Sequence, residues 1–190
     1  MFSDESTVRQ FHYHHTRVRR PVGQRYNSRY TVATVKHPLS IMFWGSISCQ
    51  GRGGLLIMPR KTTINAATYL RILQQKLPLF MRMRNCTVFQ HDGAPCHTAK
   101  IVKTWLASSN ITVLAPWPGS SPDLNPIEHC WAMVQRKVAD MRPASAAELE
   151  EKLKMVWVQQ ISQAYCCRLI ESMPARIQAV IKAKGGPTKY

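Results

Sequence analysis

Acidic residues are scarce in this 190-residue chain: 10 Asp and Glu stand against 26 Lys and Arg, for a formal charge of +16. An excess of that size makes a polyanion the default partner, and nucleic acid is the commonest one. Long apolar runs are missing as well, since none approaches the roughly eighteen residues that a membrane span requires. Neither a basic amphipathic helix nor a lipidation motif is present, so no membrane partner is expected. The opening Met1-Phe2-Ser3-Asp4-Glu5 lacks the basic and apolar regions of a signal peptide. Six cysteines, at 49, 86, 96, 130, 166 and 167, contain no C-x-x-C pair, which argues against a zinc cluster or a disulfide framework. Reduced thiols of an intracellular protein are the expectation. His12, His14 and His15 cluster in a polar stretch and read as a solvated loop rather than a metal site.

What is present suffices for a packed domain. Hydrophobic residues reach 45%, which excludes wholesale disorder, and charged residues at 19% are too few for a coiled coil. Ser40 to Ser48 is a near-continuous apolar run that reads as a buried strand. Gln50-Gly51-Arg52-Gly53-Gly54 reads as the turn after it, and Leu55 to Met58 as a short returning strand. The glycines do not form a phosphate-binding loop: the G-x-x-x-x-G-K-S/T spacing is absent, and no small-molecule cofactor is expected. Asn65 to Met83 carries Ala67, Leu70, Leu73, Leu77 and Phe80 at helical spacing, with Pro78 expected to kink or shorten the helix. Cys86 to Asp92 reads as a strand, His97 to Ser109 as a helix with Ile101, Val102, Trp105 and Leu106 inward, and Ile111 to Leu114 as a strand. Such a strand–helix–strand unit favours parallel pairing. Asn125-Pro126-Ile127-Glu128 carries a cap, a proline and an acid in the order of a helix start, and Ile127, Trp131, Val134 and Val138 recur on one face. Helices near 146–160 and 162–182 follow, with a frayed tail over 185–190.

The segment 9–37 is arginine-rich and loop-like. Arg17, Arg19, Arg20, Arg25 and Arg29 interleave with Tyr13, Tyr26 and Tyr30, a combination suited to phosphate contacts and base stacking, or to a flexible solvated hairpin.

Because acids are few, their positions are informative. Asp4 and Asp92 each close an expected strand, and Glu128 opens a helix. Acids at the carboxyl ends of strands can meet at the open edge of an α/β sheet. Three such groups would repel one another unless cations lay between them. Two Mg²⁺ (or Mn²⁺) ions accept carboxylate oxygens and clamp the attacking and leaving oxygens of a phosphodiester. Each acid also has a local explanation: Glu128 as a capping-box acid, Asp92 as a turn residue, Asp4 as a surface acid.

Three stretches carry a resemblance. Gln90-His91-Asp92-Gly93-Ala94-Pro95-Cys96-His97-Thr98-Ala99 resembles the second-aspartate motif of Tc/mariner-type DDE transposases. Trp117-Pro118-Gly119-Ser120-Ser121-Pro122-Asp123-Leu124-Asn125-Pro126-Ile127-Glu128-His129-Cys130-Trp131 resembles that family's third-acid motif. Phe2-Ser3-Asp4-Glu5-Ser6 resembles its first-aspartate motif, and Met42-Phe43-Trp44-Gly45 its following strand. The resemblance implies an RNase H-like α/β catalytic domain over 1–142, with C-terminal helices over 143–190 packed on it. It implies metal-dependent cutting and joining of transposon-end DNA, with Asp4, Asp92 and Glu128 as catalytic, metal-binding acids. Asp123 reads as a loop or cap residue within the same motif. His97 would be a DNA phosphate contact, or a locally bonded histidine at a helix terminus. DNA is the implied partner, with a possible homodimer and nuclear residence.

Two departures follow. Thirty-five residues separate Asp92 from Glu128, one more than in the most familiar Tc-type pattern, and the loop 115–121 can absorb the extra residue. Family members also carry helix-turn-helix modules ahead of the first acid, where this chain begins. The expectation is a truncated catalytic region whose Asp4 strand is only three or four residues long and which lacks end recognition. A rival of another class is a catalytically silent nucleic-acid-binding relic, with salt-sensitive binding indifferent to metal.

Overall fold

The computed structural model describes residues 1–10, 18–31, 38–60, 62–119 and 121–190. In chain order the elements are β1 (Phe2–Arg9), β2 (Ser40–Ser48), β3 (Gly51–Ile57), α1 (Ala66–Met83), β4 (Val88–Phe89), α2 (Pro95–Thr98), α3 (Lys100–Ser108), β5 (Thr112–Val113), α4 (Ile127–Asp140), α5 (Ala146–Gln160), α6 (Gln163–Glu171) and α7 (Met173–Lys182). Strands β1, β2 and β3 form an antiparallel meander, and β4 pairs with β5 in parallel. A parallel bridge between Phe2 and Gln90 joins the two sets: Ser3 N donates to Gln90 O at 3.1 Å and Gln90 N to Met1 O at 2.8 Å. The resulting order, 3-2-1-4-5 with helices on both faces, is the RNase H-like arrangement.

Alternation along β2 explains why its apolar run is continuous. Ile41, Phe43 and Ile47 enter one core with Ile127, Trp131, Val134 and Val138 of α4 and Leu149, Leu153 and Trp157 of α5. Trp44 enters the other core, with Tyr69, Leu73 and Leu77 of α1 and Val102 and Leu106 of α3. Both faces of the strand are therefore dry, and full burial of each large side chain contributes about 1.5–3 kcal/mol. No helix among the described residues is long and apolar enough to cross a membrane.

The structure corrects several local expectations. The strand bearing Asp4 has 8 residues and runs on to Arg9, with Asp4 third in it rather than at its end. Its residues from Asp4 to Thr7 are polar, so its pairing with Ser40–Ile47, not an apolar run, makes it a strand. The glycine run belongs to β3 and not to the turn, which is confined to Cys49-Gln50. Side chains at Gly53 and Gly54 would collide with Ser46 and with the Phe80 ring, so both glycines permit close approach. Helix α1 continues through Pro78, and its inward face comprises Tyr69, Ile72, Leu73, Leu77 and Met81 rather than Ala67, Leu70 and Phe80. Ala99, at φ −58° and ψ 143°, separates α2 from α3, and Ile101 lies exposed. A break at Ser172 divides the expected 162–182 helix into α6 and α7.

Candidate active site

Asp4 sits on β1 opposite Gly45 of β2. Trp131, on α4, lies over that glycine; a Cβ there would stand 2.7 Å from the indole ring. The missing side chain lets the indole reach across the strand pair, and Trp131 Nε1 donates to Asp4 Oδ2 at 3.1 Å. The glycine of the Phe43-Trp44-Gly45 run thus makes room for the residue that orients the first acid.

Asp92 lies three residues past the end of β4, where the chain leaves the sheet after the Gln90 bridge. Its Oδ1 accepts from Ala94 N at 2.9 Å, an Asp-centred turn that aims the chain into α2. On α2, His97 is 2% exposed and faces two acids: Nδ1 lies 2.5 Å from Asp92 Oδ1 and Nε2 lies 3.2 Å from Glu5 Oε2. These contacts are close but poorly aligned for hydrogen bonding, so they act as ion pairs. Behind His97, the His91 ring is parallel at 5.2 Å and the Tyr69 ring lies at 4.0 Å; Tyr69 Oη bonds His91 Nδ1 at 2.9 Å.

Glu128 is the second residue of α4. The capping box expected at Asn125 is absent: α4 has no side-chain cap, and Asn125 contributes only its carbonyl, which accepts from Glu128 N at 3.2 Å. Asn125 is instead buried at 4% exposure with Oδ1 unpartnered, in the wall of the cavity that Glu128 lines. Glu128 gains from the positive end of the α4 dipole.

Asp4, Asp92 and Glu128 line one open cavity of about 370 Å³, walled by Gly93, Trp117, Pro118 and Asn125. Three of the ten acids of a strongly basic chain thus share one cavity, and Glu5 stands just behind it. Their electrostatics differ. Burial, Glu128 and Glu5 push Asp4 up to about 8 against the Trp131 hydrogen bond. Glu128 is raised by burial and by Asp92, and lowered by its contact with Asp4. Asp92 is lowered, chiefly by His97. Burial alone would lower His97, but Asp92 and Glu5 outweigh it and hold the imidazolium up to about 10. His91, by contrast, is lowered to about 4 by burial and by His97, and is neutral.

This donor set fits hard divalent cations. It is all oxygen, it includes the unpartnered Asn125 Oδ1, and the burial and repulsion that together hold a proton at Asp4 are what a cation would offset. Among the described residues, no three His, Cys, Asp or Glu side chains close round a single point; the donors spread along the cavity.

The structure brings Asp4, Asp92 and Glu128 together, while the basic residues lie apart. Arg19, Arg20, Arg25 and Arg29 are all exposed on the loop that precedes β2, and Arg17 lies outside the described residues. His97, considered as a phosphate contact, is instead interior with both ring nitrogens turned to carboxylates. Asp123 lies in a single 3₁₀ turn before α4, a loop position. Sequence reasoning missed Glu5, Asn125 and Trp131 as parts of the site. The signal for Trp131 was its place three residues after Glu128, one helical turn along the same face; for Glu5 there was none.

The family model described as DDE superfamily endonuclease matches residues 1–150. The chain is 38% identical over 194 residues to the transposable element Tcb2 transposase of Caenorhabditis briggsae, covering 100% of this chain and 70% of that protein. The Mos1 transposase paired-end complex with left transposon end matches in fold with a TM-score of 0.82 at 23% identity, over 98% of this chain and 55% of that one. The Mos1 catalytic domain solved with raltegravir and Mg matches with a TM-score of 0.67 at 27% identity, over 79% of this chain and 78% of that one.

Proposed function

Since the chain belongs to the DDE superfamily endonuclease family, among relatives that are Tc1/mariner transposases, we propose that it is a transposase catalytic domain that cuts and joins transposon-end DNA, with Asp4, Asp92 and Glu128 as its metal-holding acids. The observation that carries this reading is the meeting of three acids from three separated motifs in one cavity of a chain with a net charge of +16. The neighbouring Mos1 catalytic-domain structures with raltegravir and Mn or Mg support the choice of ions.

Asp4, Asp92 and Glu128 would hold a pair of Mg²⁺ or Mn²⁺ ions, which would supply activation of water or of a DNA 3′-hydroxyl and stabilisation of the charge that develops at the phosphodiester. The chain's own residues do the rest. Asp4, on the central strand, lines the cavity beside Glu128, and Trp131 Nε1 holds its Oδ2 in place. Asp92 is kept ionised and oriented by His97 and by Ala94 N, so it is ready to bind without first losing a proton. Glu128, raised and in contact with Asp4, gives up its share of the proton held between them when positive charge arrives. Asn125 Oδ1 adds a neutral oxygen to the same wall.

The exposed Arg19, Arg20, Arg25 and Arg29, together with Arg17, draw the phosphate backbone towards the cavity and contact it without reading sequence. A second copy of the chain on the other transposon end and nuclear residence belong to the same reading.

The test is nicking of supercoiled plasmid and of transposon-end duplex by purified protein, with Mg²⁺, with Mn²⁺ and with chelator. Expected is nicking that needs the metal and disappears in Asp92→Asn and Glu128→Gln. Salt-sensitive DNA binding indifferent to metal, with no nicking under any condition, would instead assign the silent binding protein.

A further inference from the structure

Behind the acid cavity, a single guanidinium grips both sides of the segment that carries Glu128, and we propose that Arg176 is the positioning residue that fixes that acid. Arg176, on α7, is 1% exposed. Its Nη1 donates to the carbonyl of Asp123 at 2.6 Å, its Nη2 lies 3.2 Å from His129 Nδ1, and its Nε donates to Ser172 Oγ at 2.8 Å. Asp123 precedes Glu128 by five residues and His129 follows it directly, so one planar group ties the 3₁₀ turn to the first turn of α4. Asn125 and Glu128 lie between the two attachment points.

The tail closes the arrangement. The Tyr190 ring covers the guanidinium at 4.7 Å, and Thr188 Oγ1 donates to Asp123 Oδ2 at 3.0 Å. The segment over 185–190, expected to fray, is thus docked on the loop that precedes the third acid. A buried guanidinium is costly unless its donors are engaged. Here they are spent on a backbone carbonyl, an imidazole and a hydroxyl, with no carboxylate bound directly. Lysine, a single point charge, could not hold three partners in one plane. Displacement of a positioned group by about 1 Å costs up to about a hundredfold in rate, which makes the rigidity of this turn matter.

This inference rests on the reading of Glu128 as a metal-holding acid, and the experiment separates the two. Amide hydrogen exchange and Mn²⁺ titration calorimetry are recorded for the wild type, Arg176→Lys, Thr188→Val and Leu77→Ala, the last a substitution on α1 in the core on the other face of the sheet from α4. Expected in Arg176→Lys is faster exchange over 123–130 and Mn²⁺ affinity about tenfold or more weaker, the usual effect of losing a group that orients a ligand. Thr188→Val should move both readouts the same way by less, and Leu77→Ala should lower the melt with Mn²⁺ affinity unchanged. If Arg176→Lys does not fold, Thr188→Val, which loses the bonds to the Asp123 carboxylate and from Tyr190 N, decides by the same two readouts. Unchanged exchange and Mn²⁺ affinity in a folded Arg176→Lys overturn the proposal, as does an equal loss of affinity in Leu77→Ala. A wild type that takes up no Mn²⁺ overturns the reading of the site and the positioning role with it, while the exchange data still decide whether the clasp exists.

Discussion

Asp4 and Asp92 line the same cavity, yet their surroundings drive them to opposite protonation states. Asp4 lies buried on the central strand among other acids, opposed by hydrogen bonds from Trp131 and the Glu5 backbone, and it is raised to about 8. Asp92 lies in the same cavity beside an imidazolium that Glu5 also supports, and it is lowered. The cluster's repulsion is thus relieved in two ways, by a retained proton on one side and by a buried cation on the other. One side exchanges its proton for a metal ion, and the other is held in its ionised, metal-ready form throughout.

Removal of either acid should have the largest effect. Asp4→Asn and Asp92→Asn should each lower metal-dependent nicking by on the order of 10³-fold, which corresponds to about 4 kcal/mol of transition-state stabilisation. In chelator at pH 7 the two should then part. The folded Asp4 keeps a proton that the unfolded chain loses between about pH 4 and 8, so its carboxyl costs stability there, and Asp4→Asn should melt above the wild type. Asp92, lowered on folding, contributes stability above its unfolded value, so Asp92→Asn should melt below it. Shifts of the same sign in the two melts would break the comparison.

Metal uptake should show the same asymmetry. If a cation displaces the Asp4 proton, Mn²⁺ affinity should climb by about tenfold per pH unit up to about pH 8 and then flatten. Calorimetry at pH 6, 7, 8 and 9, in buffers of different ionisation heat, reads both the slope and the proton released. Affinity that is level from pH 6 to 8 would mean that Asp4 is already ionised.

On the other side, His97→Gln should destabilise the fold by about 2–3 kcal/mol at pH 6, since it leaves Glu5 and Asp92 without their cation. The folded His97 is raised to about 10. Its contribution is therefore complete below about pH 6.5 and fades as pH rises through 10. Denaturant melts at pH 6, 8 and 10 should show variant and wild type converging; a constant gap would assign the loss to packing against Tyr69 and His91.

The two sides also differ in how far they could be read from the chain. Strand β2 and the inward face of α4 were legible because burial on both faces leaves a continuous apolar run and packing on one face leaves a helical period. Asp92 and Glu128 lay in motifs that carry a resemblance, and they meet as those motifs imply. Strand β1 was not legible: Asp4 to Thr7 are polar, and only pairing with β2 makes them extended. The role of Gly45 depends on a tryptophan 86 positions away in the chain. Asn125 matched a capping signature but turned its side chain to the cavity, because its carbonyl alone serves the helix start. Arg176 read as one more basic residue on a helix, since nothing local marks a guanidinium whose partners lie 47 and 53 residues earlier.

The smallest effect isolates the Asp4 side. Gly45→Ala places a methyl group where the Trp131 ring now lies, at 2.7 Å, so the indole must give way. Such overpacking costs about 1–2 kcal/mol. The shift also draws Nε1 away from Asp4 Oδ2, and that hydrogen bond is one of the influences that lower the acid. Asp4 should then hold its proton to higher pH, and the rise of Mn²⁺ affinity should move upward by about half a pH unit. The His97 window should stay where it is, because Trp131 touches neither Asp92 nor the imidazole. Calorimetry and melts on one preparation compare the two windows directly. If both move together, Asp4 and Asp92 titrate as one coupled cluster and not as two sides with separate supports.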